Sequence, residues 1–233
     1  MAFDRTETET KLKFKAAILE LENVIAETAP FEAEAWKKAA GEYGVFLGFE
    51  DWQNKMKRHG AEEISDWILE ESHRPDSGEE KQDLLEKKES YYQELIQGLS
   101  AKDVSPGIEP LLKHLKKNGV RIAAASARKN TDDALERLGV GDFFDVVLDE
   151  ADISNEEPLL EKVLAAAQDL DSLYKKCIAI VDVNLNLMQG EESKLFVVGI
   201  GSRNPVKSTN WSVASSGELT YEGLKERFLE QKF

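Results

Sequence analysis

The chain has 233 residues, 26.1 kDa and 41% hydrophobic side chains, enough for one sizeable core or a core domain with a smaller insert. Its 30 basic and 45 acidic residues leave a formal charge of −15, which disfavours nucleic-acid phosphates and anionic membranes over most of the surface. No stretch approaches the roughly 20 apolar residues that span a bilayer, so a cytoplasmic, monomeric protein with no nucleic-acid or membrane partner is expected.

Residues 1–13, MAFDRTETETKLK, are polar and mixed in charge and read as a flexible leader or an additional strand, since a Thr/Glu alternation supports either. The apolar run 14–21 follows, long enough for a strand and too short for an average helix. From about residue 30 the pattern becomes helical. Pro30 suits the first turn of a helix, residues 33–43 carry amphipathic spacing, and 79–99 is long, charged and periodic. His73-Arg74-Pro75-Asp76-Ser77-Gly78 reads as a turn between helices. Trp36, Trp52 and Trp67 are spaced for packing among these helices, and His73 and His114 lack a partner at zinc-site spacing and read as surface residues.

Short runs rich in Ala, Val and Ile then recur at 121–126, 144–148, 176–182 and 195–200. Between the runs lie periodic segments at 107–117, 130–138 and 156–167. Cys177, the single cysteine, falls inside an apolar run and reads as a buried small side chain in a reducing compartment. Strand, crossover helix and strand in repetition predict an α/β protein, a Rossmann-like doubly wound parallel sheet core with an inserted all-helical cap domain. The expected division is 1–30 with 99–233 for the core and 31–98 for the cap, with hinges at 29–31 and 99–106 and the cap over the C-terminal edge of the sheet.

Open α/β sheets do their chemistry where strands end. Glu20 and Glu22 close the first run, Ser126 the second and Asp182 the fourth. Three carboxylates and a hydroxyl at one crevice suit a weak Mg²⁺ site with positions open for a phosphate, or are simply surface charge. In the helical block, Lys57-Arg58-His59 is a small basic cluster that either attracts an anionic ligand or forms a solvated helix face. Neither a G-x-G-x-x-G nor a G-x-x-x-x-G-K-S/T pattern is present.

Three phrases in order carry a family likeness: ILELENVIAET at 18–28, SYYQELIQGLSAKDVSPGIEPLLKHLKKNGVRIAAAS at 90–126 and VASSGELTYEGLKERF at 213–228. In that order and spacing the chain resembles the haloacid dehalogenase superfamily, and within it the β-phosphoglucomutase-like group, whose members open on a strand followed by D-x-D-G-V. The resemblance implies a core with a helical cap, an aspartyl nucleophile, a second aspartate as general acid and base, and bound Mg²⁺. It puts Glu20 at the nucleophile, Glu22 at the acid/base, and Glu20, Glu22 and Asp182 around the metal. Ser126, Ala127 and Asn155 fall at the phosphate, while Lys57, Arg58 and His59 are the candidates for the cap side of the substrate by their charge alone.

Several family positions are substituted. Glutamates stand for the two aspartates, Asn23 for glycine, Asn155 for the phosphate lysine, Val181 for an acidic residue, Ala61 for the cap arginine and Glu32 for a histidine. An added methylene at residue 20 moves the carboxylate by about 1 Å, and a misplacement of that size costs on the order of a hundredfold in rate. Losing the lysine leaves developing phosphoryl charge less well offset. The expected function is therefore a catalytically inactive or very weak member with an interaction or regulatory role, its partner a small phosphorylated metabolite or a protein, and Mg²⁺ weakly held or absent. The alternative is a Mg²⁺-dependent phosphatase or phosphoglucomutase acting on small phosphorylated sugars through Glu20 and Glu22.

Overall fold

A computed structural model describes residues 14–48, 50–51, 59–73, 78–126, 128–149, 165–168, 174–183, 195–202 and 209–230. The chain divides into two compact units, residues 1–27 with 100–233 and residues 28–99. The first is the parallel-sheet core and the second an all-helical cap, as the α/β reading expects.

The core holds β1 (Ala16–Glu20), β2 (Arg121–Ala125), β3 (Val146–Leu148), β4 (Cys177–Asp182), β5 (Phe196–Ile200) and β6 (Trp211–Val213). They form one parallel sheet in the order β3-β2-β1-β4-β5-β6. The central strands read as unbroken apolar runs because both faces are covered, the usual condition of a parallel sheet. Alternate residues point to opposite faces: Ala16, Ile18, Ala123, Ala125, Cys177, Ala179 and Val181 join one core cluster, while Ala17, Leu19, Ile122, Ala124, Ile178 and Ile180 are equally buried on the other side.

Helix α4 of the core (Ile108–Lys117) packs against β2 through Ile108, Leu111, Leu112 and Leu115. Helix α5 (Thr131–Arg137) follows β2 and packs against β3. The last helix, α6 (Tyr221–Glu230), brings Tyr221 and Phe228 to within 5.7 and 5.6 Å of the Phe14 ring, and Phe228 to 5.7 Å from Phe196. Two of the family phrases meet here: Ser216 Oγ donates to the Pro106 carbonyl at 2.8 Å. Gly107, at φ 81°, lies so close that a Cβ there would sit 3.0 Å from the Gly217 backbone.

The helical unit contains α1 (Ala29–Glu42), α2 (Ala61–Glu71) and α3 (Gly78–Ile96). Pro30 sits in the first turn of α1, where its missing N–H costs nothing. Trp36, Ala39, Ala40, Ile64, Ile68, Leu69 and Leu84 fill the interior, with Trp67 packed against it. Trp36 and Trp67 thus take the packing places expected of them, and Trp52 lies outside the described residues. Lys88 of α3 is buried as well. Its Nζ is 2.6 Å from Glu32 Oε1 and 3.6 Å from Glu89 Oε2, and lies over the rings of Trp36 and Tyr92 at 5.5 and 5.4 Å, so its charge is met by two carboxylates and two π-faces. His73 and His114 are exposed. Among the described residues no helix is long and apolar enough to cross a membrane.

Two outcomes follow from this packing. Lys88→Met should cost about 2–4 kcal/mol in urea unfolding, because Glu32 keeps a partly desolvated charge, whereas Lys88→Met with Glu32→Leu should recover most of that loss. Cys177 is fully buried, which pushes its thiol from 9.0 up to about 11. The unfolded thiol therefore ionises first, and the contribution to stability is lost as pH rises through that interval. Thiol-reagent labelling at mildly alkaline pH should proceed only as fast as the chain opens.

Candidate active site

Strand register explains why residues far apart in sequence meet. Glu20 pairs with Ala125, so Ser126 lies one step beyond it on β2, and Leu19 pairs with Ile180, so Asp182 lies one step beyond the level of Glu20 on β4. Because β2, β1 and β4 are neighbours, Glu20, Ser126 and Asp182 gather at one end of the sheet. All three are buried, with exposures of 3%, 0% and 6%.

The chain then turns tightly. The amides of Ile25 and Ala26 donate to the carbonyls of Glu20 and Leu21 at 3.1 Å, and Glu27 and Ser105 stitch the turn to the segment before α4 through Glu27 N to Asp103 O and Ser105 N to Ile25 O, at 3.1 and 2.9 Å. Asn23 occupies the left-handed region at φ 58°, a conformation that asparagine tolerates better than most residues.

Three hydrogen bonds link the acidic residues to their surroundings. The backbone N–H of Asp182 donates to Glu20 Oε2 at 2.9 Å. The side-chain amide of Asn23 donates to Asp182 Oδ2 at 2.8 Å. Ser126 Oγ donates to Glu22 Oε1 at 2.6 Å and accepts from the Arg128 amide at 3.0 Å. Burial, followed by the charge of Glu22, raises the Glu20 carboxyl well above its ordinary range, against the downward pull of the Asp182 amide.

Of the other residues predicted for the site, Ala127, Asn155, Lys57 and Arg58 lie outside the described residues. His59 is an exposed residue of the helical unit, with Nδ1 2.9 Å from Glu63 Oε2. That contact, with the Gly60 amide, lowers the Glu63 carboxyl from its ordinary value. Asn23 is the residue that sequence reasoning left out of the site. Its only signal was an asparagine where a glycine is usual, in a turn that demands positive φ.

A model of the family described as haloacid dehalogenase-like hydrolase matches residues 3–182. The chain belongs to this family. It is 31% identical to a β-phosphoglucomutase of Bacillus subtilis strain 168 over 216 residues, 92% of this chain and 95% of that protein. The crystal structure of a β-phosphoglucomutase from Clostridium difficile superposes with a TM-score of 0.74 at 32% identity, covering 93% of this chain and 98% of the other. CbbY from Rhodobacter sphaeroides, solved in complex with phosphate, shares the fold at 20% identity with a TM-score of 0.68, covering 91% of this chain and 99% of its own. The chain is thus a haloacid dehalogenase-like protein related to the β-phosphoglucomutase subfamily.

A divalent cation needs carboxylate oxygens turned toward it with lone pairs available. Among the described residues no group of three or more His, Cys, Asp or Glu is arranged to hold a metal ion. At Glu20, Glu22 and Asp182 the ion that the family implies would meet carboxylate oxygens that are in part already engaged. One carboxylate oxygen of each residue already accepts a hydrogen bond, from Asp182 N, Ser126 Oγ and Asn23 Nδ2 respectively.

Ser126→Ala removes one donor from the Glu22 carboxylate and one acceptor from the Arg128 amide. It should lower stability by about 1–3 kcal/mol in denaturant unfolding. In a double-mutant cycle with Glu22→Gln, the coupling should be about 1 kcal/mol, since the two side chains share a contact.

Proposed function

We propose that this haloacid dehalogenase-like chain is a β-phosphoglucomutase-type scaffold with little or no phosphoryl transfer, acting through binding to a protein partner or a small phosphorylated metabolite. The observation that carries this reading is the 2.6 Å hydrogen bond from Ser126 to Glu22. By the family resemblance, that hydroxyl would hold the transferring phosphate, and Glu22 would give and take the proton at the leaving oxygen. Here the Ser126 proton is already given to Glu22 Oε1, so an incoming phosphoryl group must break a charge-assisted hydrogen bond before it gains that donor.

Substitution of both aspartates by glutamate and of the lysine by Asn155 supports the same reading. A displaced carboxylate loses in-line geometry, and a missing ammonium leaves the transition-state charge less well balanced. In this proposal Lys57, Arg58 and His59 are what remains of an anion-attracting surface on the helical unit.

A second reading has its own support. Identity of 31% to the Bacillus subtilis β-phosphoglucomutase across 92% of this chain favours a Mg²⁺-dependent phosphatase or phosphoglucomutase on small phosphorylated sugars. Glutamate is itself able to form an acyl-phosphate.

Phosphate release and phosphosugar interconversion by the purified chain, with and without Mg²⁺ and beside the Bacillus subtilis relative, separate the two readings. The expected outcome is no metal-dependent turnover above background. Mg²⁺-dependent turnover that Glu22→Gln abolishes would establish the enzyme and overturn the proposal.

A further inference from the structure

We propose that the Asn23 side-chain amide does in this chain the mechanical work of a bound divalent cation, tying the turn after β1 to the carboxylate that ends β4. The inference deepens the non-catalytic reading by naming what holds its site together. It starts from a contact between residues 159 positions apart, Asn23 Nδ2 to Asp182 Oδ2 at 2.8 Å.

A cation bridging two loops and an amide bridging them solve the same problem by different means. Each offers positive potential to a buried carboxylate that would otherwise be expensive to desolvate. The amide does so without net charge, and through hydrogens rather than an open coordination sphere. Asn23 reaches Asp182 because its backbone lies at φ 58°. A glycine would allow the same turn but bring no donor.

The clasp is double. Glu20, at the end of β1, accepts from the Asp182 amide at 2.9 Å, while Asn23, three residues further on, donates to the Asp182 carboxylate. Asp182 is thus oriented through its main chain and its side chain by one short segment. A cation approaching Asp182 Oδ2 would meet the hydrogens of the amide, which repel it. For it to be bound, the Asn23 side chain would have to leave.

The test compares thermal unfolding in EDTA and in millimolar MgCl₂ for the unmodified chain and Asn23→Asp. That substitution keeps size and tolerance of the left-handed turn but replaces the donor with a second carboxylate facing Asp182. The unmodified chain should melt at one temperature in both buffers. Asn23→Asp should melt about 5 °C lower in EDTA, the loss of one hydrogen bond to a charged group, and recover in MgCl₂.

A Mg²⁺-dependent rise of that size in the unmodified chain would overturn the proposal, as would an Asn23→Asp protein that melts with the unmodified chain in EDTA. Should Asn23→Asp fail to fold in either buffer, Asn23→Gly decides. It should bind Mn²⁺, read by water-proton relaxation, where the unmodified chain does not, and equal behaviour of the two overturns the proposal. The two readings of the site fail separately: turnover without Mg²⁺ dependence would sink the non-catalytic one and leave the amide clasp standing. Mg²⁺ stabilisation of the unmodified chain without turnover would do the reverse.

Discussion

Asp182 is held from two directions by one short segment, and the candidate site is organised around that grip. Its amide points to Glu20 and its carboxylate receives Asn23. Both contacts depend on β1 and β4 being adjacent and in the register that sets Leu19 opposite Ile180. Carboxylates gathered at the dry end of a sheet repel one another, and burial penalises each ionised form. The rise in the Glu20 carboxyl comes first from burial, then from the charge of Glu22, with a smaller contribution from the charge of Asp182. The donors described at this site are amides and a hydroxyl, and neutral donors lower the cost of ionisation locally without cancelling the charge.

Scaffold and chemistry have separate determinants in this family. The sheet order and its core rest on apolar runs such as AAILE, RIAAA and CIAIVD, which tolerate drift among Ala, Val and Ile. Phosphoryl transfer rests on a handful of side chains placed to within a fraction of an ångström. A chain therefore keeps 31% identity to a named mutase along nearly its whole length while Glu20 and Glu22 are each one methylene longer than the aspartates the resemblance implies. Likeness of fold fixes where a reaction would occur, and only the side chains at that place decide whether it does.

How legible this was follows from the kind of signal each residue carries. Five strands were read to within one or two residues because runs buried on both faces of a parallel sheet are locally distinctive. The sixth, Trp211-Ser212-Val213, was missed: three residues with a serine at the centre carry no period, and only pairing with β5 makes them a strand. Helix α1 begins at Ala29, beside the Pro30 expected in its first turn, although apolar spacing sets in only at 33, since Ala29 and Pro30 start it by backbone preference. At the candidate site, the gathering of Glu20, Ser126 and Asp182 was legible from strand ends. Bonding partners were not, because nothing local in ENV at 22–24 tells that its asparagine faces a residue 159 positions away.

Three of the substituted positions take part in internal contacts, and that limits how this chain can change. Glu32, where the family resemblance puts a histidine, is the carboxylate that satisfies the buried Lys88 beneath Trp36 and Tyr92. Asn23, where a glycine is usual, secures Asp182. Glu22 secures the buried Ser126 hydroxyl with the reach of its extra methylene. Each of these three departures takes part in an internal contact, so reverting it removes that contact as well as restoring a family residue. Residues in contact combine non-additively, so a reversion made alone carries a stability loss that a change made together with its partner would in part recover.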